Sequence, residues 1–268
     1  MKAEHISNIQ YAGRALGIAV RSQLQYLSSF WLQIIGSAFL FGVEFVAILL
    51  LFQRYPSVGQ WTHSEVFLFY GLSHCAFTLA EIFIRGISAL HVTDGSYDRM
   101  LLRPRPAMLQ AACRELDLRR FGSVLIGVIA LSYGISQTAI LWTPGKVSSL
   151  LLAVAGGFFL VCGLFIAETA LTFVTLQNTE AFNVITYGGR SAMQYPIDIY
   201  NGPLRWLFLF IIPYGLTIHF PASCILGRPL FGWPEWLSWL SPLLGIAFFL
   251  LTMAFWSIMA RRYQSTGS

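Results

Sequence analysis

The sequence predicts an all-α, polytopic membrane protein with six transmembrane helices, an N-terminal amphipathic interface helix and an outer re-entrant segment between the last two spans. Composition is the first reason, because 56% of the 268 residues are hydrophobic and 11% are charged, whereas soluble domains carry about 25% charged residues. The second reason is that the apolar residues form six runs of roughly membrane-spanning length. The third is the uneven distribution of Lys and Arg between alternate connections.

The six runs define the predicted spans. A transmembrane helix needs about 20 mainly apolar residues. The predicted spans are residues 30–52, 65–90, 121–135, 147–175, 203–218 and 236–259. The third and fifth are short, so hydropathy defines their ends least well. Residues 30–268 then form one six-span domain, and residues 1–29 form a separate segment before it.

The basic residues predict the orientation of these spans. With the N-terminus inside, Arg54, Lys146 and Arg228 lie in outer connections, and the other fourteen of the 17 Lys and Arg lie inside, Arg190 and Arg205 among them. Such an excess marks the cytoplasmic side of membrane proteins. We therefore expect both termini in the cytoplasm. An anionic lipid surface, and not nucleic acid, accounts for the net charge of +5.

The N-terminal segment has the periodicity of an amphipathic helix. The apolar residues that recur at three- and four-residue spacing are Ile9, Ala12, Leu16, Val20, Leu24 and Leu27. Arg14 and Arg21 fall on other faces, so we expect this helix to lie in the inner interface. The alternative is that it extends the first span. No apolar run followed by a cleavage site precedes it, so we expect the N-terminus to be retained.

The connection after the second span runs from residue 91 to 120, and its first part, residues 91–110, contains the sequence DGSYDRMLLRPRPAMLQ. Asp94 or Ser96 is suited to cap a short helix, and Pro104 and Pro106 are suited to end it. Met100, Leu101 and Leu102 supply an apolar side. A compact, charged element of this kind suits docking to another protein. The alternative is a positive-inside loop whose arginines only set topology.

The outer connection at residues 219–235 is too apolar for a water-exposed loop and too rich in proline for a span. It contains Pro221, Pro229 and Pro234, with Trp233, Trp236 and Trp239 at or near its end. It predicts short helices that dip into the outer leaflet, with the tryptophans at headgroup level. The tryptophans alone are equally consistent with an ordinary aromatic belt.

Polar residues follow one face of three of the predicted spans. The candidates for a translocation path are Gln33, Ser37, Glu44, His74, Thr78, Glu81, Glu168 and Thr172. Charged groups at bilayer depth usually face protein or water, so these stripes either line a path or hydrogen-bond neighbouring helices. Glu81 and Arg85 are spaced to form an i,i+4 ion pair.

Motifs for catalysis and cofactor binding do not fit. The stretch TPGK is no phosphate loop, because Ile140 occupies the first glycine position and Val147 the Ser/Thr position. The five histidines are dispersed, and the four cysteines lack metal-site spacing. The sequence therefore predicts no catalytic residues, no metal site and no cofactor bound by this chain.

Two motifs resemble a known family. GSYDRMLLRPRP resembles the Gly-x-x-Asp-x-x-Leu-x-Arg-Pro element of one branch of the ATP-binding-cassette type-2 exporter permeases. YPIDIYNGPLRWLFLFIIPYGLTIHFPASCILG is similar to that branch's Tyr-Pro motif, its fifth span with Ile-Pro and its outer Phe-Pro-Ala. Arg105 departs from the pattern, because a small or apolar residue is expected there.

The resemblance implies a six-span permease domain that pairs into a dimer, with a second copy or a sister permease. It also implies two copies of a separate cytoplasmic ABC ATPase, which bind ATP and Mg, and export across the cell inner membrane. The ATPase-coupling residues it implies are Asp94, Gly95, Asp98, Arg99, Leu102, Arg103 and Pro104. The cargo stays undefined.

Two other classes of function remain open at this point. One is a proton-coupled secondary transporter that uses the intramembrane glutamates. The other is a membrane-embedded, lipid-modifying enzyme, for which Glu44, His74, Glu81 and Glu168 are the only candidates and no spacing brings them together.

Overall fold

The computed structural model describes residues 7–84, 87, 90–175 and 180–264. The α-helices are α1 Asn8–Leu24, α2 Leu27–Arg54, α3 His63–Ile84, α4 Leu90–Thr93, α5 Ser96–Leu101, α6 Ala107–Arg114, α7 Phe121–Gln137, α8 Pro144–Thr175, α9 Glu180–Asn183, α10 Gly189–Met193, α11 Gly202–Trp206, α12 Phe220–Ile225, α13 Leu237–Leu240 and α14 Leu243–Ala260. Short 3-10 turns lie at Leu118–Arg120, Ile197–Ile199 and Leu230–Gly232, and π-helical turns at Val184–Gly188, Leu207–Ile211 and Gly215–His219. The strands are β1 Ser57–Val58 and β2 Trp61–Thr62.

In the described part of the chain, five helical segments are long and apolar enough to cross a membrane. They are Leu27–Arg54, His63–Ile84, Leu118–Gln137, Pro144–Thr175 and Leu237–Ala260. The second lies at the centre of the bundle, where 89% of the residues in its most apolar stretch are buried. The first lies at the edge, where 6% of the corresponding residues are buried. The predicted first, second, third, fourth and sixth spans are confirmed as helices, and the third is longer than predicted.

Glycines allow the long helices to pack closely. A Cβ added at Gly71 of α3 would meet the backbone of Leu131 in α7, and one added at Gly245 of α14 would meet the carbonyl of Gly156 in α8. Since lipid tails are as apolar as leucine, helices in a membrane associate largely through such van der Waals contact. The neighbours α3 and α7, and likewise α8 and α14, therefore depend on small residues at their crossing points.

The two ends of the bundle have different structures. At one end β1 and β2 form an antiparallel hairpin, in which Ser57 pairs with Thr62; we call this the hairpin end. The other end contains residues 94–120 and is called the arginine-rich end. The N-terminal helix α1 lies there, because Leu118 N donates to Gln23 Oε1 at 3.1 Å. The predicted helix is thus present, and it breaks at Gln25–Tyr26 instead of extending the first span.

Residues 180–199 correct one prediction. They were predicted to belong to a connection on the inner side, but they pass along α3 towards the hairpin end. Tyr187 packs against Phe77, the Ser73 hydroxyl donates to the Met193 carbonyl at 2.9 Å, and Trp61 Nε1 donates to Asp198 at 2.9 Å. Arg190 therefore lies within the bundle and not in an inner loop.

The predicted fifth span, 203–218, is also corrected. Gly202–Ile211 and Gly215–Ile225 are two helices joined by a bend of 79°. Arg205 near the start donates to the Tyr200 carbonyl at 2.9 Å, and Lys146 donates to the Ile225 carbonyl at 2.9 Å. Both ends therefore lie at the hairpin end, while Tyr214 at the bend contacts Gly189. We call this element, residues 202–225, the V-shaped pair.

The V-shaped pair enters and leaves the bundle from the same end, so Arg205 also moves out of the predicted inner set. Pro213 contributes to the bend because it has no N–H to continue a helix. Hydropathy did not reveal the reversal, since residues 215–225 are buried inside the protein and such residues are as apolar as those facing lipid.

The reversal predicted at 219–235 occurs instead at 202–225. In the described residues the chain makes six passes between the two ends, with 180–199 as the fifth.

Candidate functional site

A sharp turn positions the short helix α5 at the arginine-rich end. Gly95 adopts a left-handed conformation with φ of 69°, which glycine reaches without strain. The Asp94 carboxylate accepts the Ser96 amide at 2.8 Å and so satisfies the first N–H of α5. Burial acts to raise the pKa of Asp94, but hydrogen bonds from Ser96 outweigh it and leave this pKa below its ordinary value. Gly95 occupies the N-cap position, so neither Asp94 nor Ser96 is the cap as predicted, although Asp94 bonds the first N–H from one residue earlier. The helix α5 ends before Pro104, as predicted.

One face of α5 is anchored to the bundle. Ser96, Tyr97 and Met100 are buried. The Tyr97 ring lies 4.7 Å from Phe173, near the end of α8, and 6.3 Å from Trp256, near the end of α14, between ring centroids. A displacement of α5 would therefore be transmitted directly to α8 and α14.

The C-terminal end of α5 is exposed. Leu101 is 55% exposed and Leu102 is 85% exposed, and Arg103 and Pro104 after them are exposed as well. In the family motif the leucine comes three residues after the aspartate, and in this chain that residue is Leu101. The prediction named Leu102, one residue later, and is corrected to Leu101. We call residues 101–104 the exposed tip.

The N-terminal helix is fastened to the chain just after this tip. Arg105, the residue that departs from the family pattern, donates to Asn8 Oδ1 at 2.6 Å and lies over the Tyr11 ring at 5.6 Å. At the other end of α1, Gln23 donates to the Leu116 carbonyl. The segment 105–116 and α1 therefore form one unit at the arginine-rich end.

A polar cluster around Glu44 lies where α2 meets the rest of the bundle. Arg190 Nη2 donates to Glu44 Oε2 at 2.9 Å, and Gln194 Nε2 donates to Glu44 Oε1 at 2.6 Å. The Tyr70 hydroxyl lies 3.4 Å from the same carboxylate. The Arg190 guanidinium also lies 4.5 Å from the Phe41 ring centroid. These contacts join α2 and α3 to the fifth pass of the chain.

His74 continues this cluster towards α7. His74 Nδ1 lies 3.5 Å from Arg190 Nη2, and its Nε2 lies 2.8 Å from Ser123 Oγ. Ser123 Oγ in turn lies 3.3 Å from Thr78 Oγ1. The structure thus brings together three of the predicted path residues, Glu44, His74 and Thr78.

The remaining predicted path residues lie elsewhere. Glu81 forms an ion pair with Arg120 at 3.1 Å at the arginine-rich end, while its predicted partner Arg85 is outside the described residues. Thr172 donates to the Glu168 carbonyl at 3.1 Å, within its own helix. Gln33 donates to Ser29, one turn away. Ser37 is half-buried on α2, between Gln33 and Glu44.

Arg190, Gln194 and Asp198 were missed as site residues. They belong to a segment with too few apolar residues to be recognised as a pass, and the one signal was a basic residue inside the stretch VITYGGRSAM. Metal-binding clusters of His, Cys, Asp or Glu are absent from the residues that the structure describes.

The long apolar helices define a multi-pass membrane protein. The model of a family described as ABC-2 family transporter protein matches residues 38–267, so the chain belongs to that family. Its members are transporter membrane components that lack an ATPase domain of their own, and membership implies association with an ABC ATPase. No curated protein and no solved structure gives a significant match.

Proposed function

We propose that the chain is the permease subunit of an ATP-driven ABC exporter, in which two permeases form the translocation path and two cytoplasmic ATPases supply the energy. The exposed tip is the observation that carries this proposal. Leu102 is 85% exposed and is followed by Arg103, and an exposed leucine beside a charged residue suits docking to a partner.

The geometry of α5 supports a coupling role. Its exposed tip lies at the C-terminal end of the helix, and Tyr97 in its first turn contacts the ends of α8 and α14. An ATPase bound to the tip would pull on these two helices when nucleotide closes its own dimer. Asp94 and Gly95 form the turn before the helix that carries the tip, and Asp98 and Arg99 lie within that helix.

The distribution of basic residues supports an inner position for the arginine-rich end. After the corrections for Arg190 and Arg205, twelve of the 17 Lys and Arg remain assigned to that side and four to the hairpin side. This asymmetry still follows the positive-inside rule. We infer that both termini face the cytoplasm, and that the protein resides in the cell inner membrane.

The edge position of α2 supports a path between two permeases. α2 has a single buried residue, Ile48, in the described structure, and it carries the Glu44 side chain, which is 32% exposed. A second copy or a sister permease would cover this helix. We place the path along Gln33, Ser37 and Glu44, the polar residues that follow one face of this helix.

The ion pairs argue against the two other classes of function. Glu44 accepts from Arg190, and Glu81 accepts from Arg120. Two of the three intramembrane glutamates that a proton-coupled transporter would use are therefore held in ion pairs by arginine. In the described residues no contact links Glu168 of α8 to Glu44 or His74, so the four groups named for a lipid-modifying enzyme do not meet at one site.

Co-purification tests the proposal. The tagged chain is extracted from native membranes in mild detergent, and the accompanying proteins are identified and assayed for ATP hydrolysis. We expect an ABC ATPase at one copy per permease, lost with Arg103→Glu and retained with Arg262→Glu. Arg262 is the matched control because it is exposed beyond the end of α14, outside the exposed tip. A chain that purifies alone, or equal recovery with both variants, would contradict the assignment of the tip.

A further inference from the structure

A cavity of about 420 Å³ lies between α1, α5 and α6 at the arginine-rich end. Four arginines line it: Arg14, Arg99, Arg103 and Arg114. Acidic side chains are not among the described residues that line this cavity. The membrane permease function proposed above does not require such a cavity.

The cavity is strongly basic even after its internal contacts are counted. Arg99 donates to Ser96 Oγ at 2.8 Å, a neutral group. Arg114 lies 3.7 Å from Glu115 and also interacts with Asp94, and both carboxylates are exposed and screened by solvent. Four guanidinium groups around one space repel one another, and a bound anion would relieve that repulsion. Guanidinium groups bind phosphate oxygens in pairs, so phosphate is the anion best matched to them.

Gln110 indicates a second chemical group that the ligand should carry. Its side chain is 3% exposed and lines the cavity. Gln110 Nε2 donates to the carbonyls of Met100 and Arg105, each at 2.9 Å, while Oε1 accepts no hydrogen bond in the described structure. Buried acceptors normally have a donor, so the ligand is expected to bring a hydroxyl or ammonium group close to its phosphate.

The position of the cavity indicates where such a ligand comes from. Ser96 lines the cavity, and the adjacent Tyr97 packs against Phe173 and Trp256, near the ends of two spanning helices. The cavity therefore lies at the level where the spans end and where lipid headgroups begin. Ile18, 67% exposed, adds an apolar wall that suits the glycerol and upper acyl region of a lipid.

We propose that this cavity binds the headgroup of an anionic phospholipid, with its phosphate among the four arginines and its hydroxyl group at Gln110. Because Arg14 belongs to the interface helix and Arg103 to the exposed tip, the bound headgroup joins α1 to the segment that docks the ATPase. The lipid would thereby hold α5 in its docking position.

Binding can be measured on the purified full-length chain in detergent by native mass spectrometry. The probes are dioctanoyl phosphatidylglycerol, dioctanoyl phosphatidylcholine and inorganic phosphate, each titrated separately. We expect saturable binding of one phosphatidylglycerol per chain, at least tenfold tighter than that of the other two probes. Arg14→Gln should weaken it about tenfold, the effect of losing one charge-assisted hydrogen bond, whereas Arg262→Gln should leave it unchanged.

Two controls separate the proposal from its alternatives. Thermal unfolding of Arg14→Gln without lipid should match the parent chain, because Arg14 is exposed and its loss leaves no buried group unpaired. Gln110→Leu keeps the arginines and should reduce the preference for phosphatidylglycerol over phosphatidic acid, which lacks the glycerol hydroxyls.

Equal affinity for phosphatidylglycerol and phosphatidylcholine would overturn the proposal, as would unchanged binding in Arg14→Gln. Inorganic phosphate binding as tightly as the lipid would make this a soluble-phosphate site. Loss of ATPase recovery in Arg14→Gln with lipid binding intact would assign the cavity to an acidic partner surface instead. Because lipid binding is measured without the ATPase, its failure leaves the proposed transport function untouched.

Discussion

Arg190 Nη2 lies 2.9 Å from Glu44 Oε2, although 146 positions separate the two residues in the chain. This ion pair ties the exposed helix α2 to the fifth pass of the bundle. Gln194 and Tyr70 hold the same carboxylate from two further directions. The cluster therefore fixes the position of α2, the helix that the proposed dimer would cover.

Removing either member of this pair should destabilise the chain, and the two losses should not add. We expect Glu44→Gln and Arg190→Gln each to lower the free energy of unfolding by about 2 kcal/mol. This is less than the roughly 3–5 kcal/mol of fully buried pairs, because the Glu44 side chain is 32% exposed. The double variant should lose clearly less than the sum of the two singles. Chemical unfolding in detergent measures all three, and additive losses would show that the pair contributes no coupling.

The exposed tip and the anchored face of α5 should respond differently to substitution. Leu102→Asp removes an 85%-exposed leucine, so the unfolding temperature should not change, while stimulation of ATP hydrolysis by the permease should be lost. Tyr97→Ala removes a ring that contacts Phe173 and Trp256 and should cost about 3 kcal/mol of stability. Thermal unfolding and an ATPase assay of each variant separate the two effects. A destabilised Leu102→Asp would contradict the exposed position of the tip.

Cysteine labelling can distinguish the V-shaped pair from a straight fifth span. Asn201→Cys should react with a membrane-impermeant maleimide added outside the cell, as should Ser57→Cys in the hairpin, while Leu102→Cys should react only after permeabilisation. The four native cysteines are buried, so background labelling should be low. Labelling of Asn201→Cys from the inside alone would restore the straight span at 203–218.

The crossing of α8 and α14 should not tolerate a methyl group at Gly245. A Cβ there would meet the carbonyl of Gly156, whereas a Cβ at Gly36 in α2 meets nothing within 4 Å. We expect Gly245→Ala to cost about 1–3 kcal/mol, as overpacking does, and Gly36→Ala to be neutral or slightly stabilising because alanine favours helix. Thermal unfolding of the two variants measures the difference. Equal behaviour would show that this crossing is looser than described.

Composition and periodicity alone determined that this is a helical, multi-pass membrane protein. They also located five of its long helices, the amphipathic helix α1 and the capped helix after Asp94. These features depend on local properties of the chain: apolar runs, a 3.6-residue period, and residues such as Gly95, Pro104 and Pro106 that begin or end a helix. The family motif around Asp98 and Arg103 is local as well, so it too was visible.

Only the tertiary structure decided which segment forms the fifth pass. Hydropathy reports how apolar a segment is, and it cannot separate burial in lipid from burial in protein, so it selected the apolar V-shaped pair and passed over residues 180–199. Arg190 is accommodated in that pass because Glu44, distant in sequence, neutralises it. Pairings of this kind depend on how the helices are arranged in space, and that arrangement has no local signature in the chain.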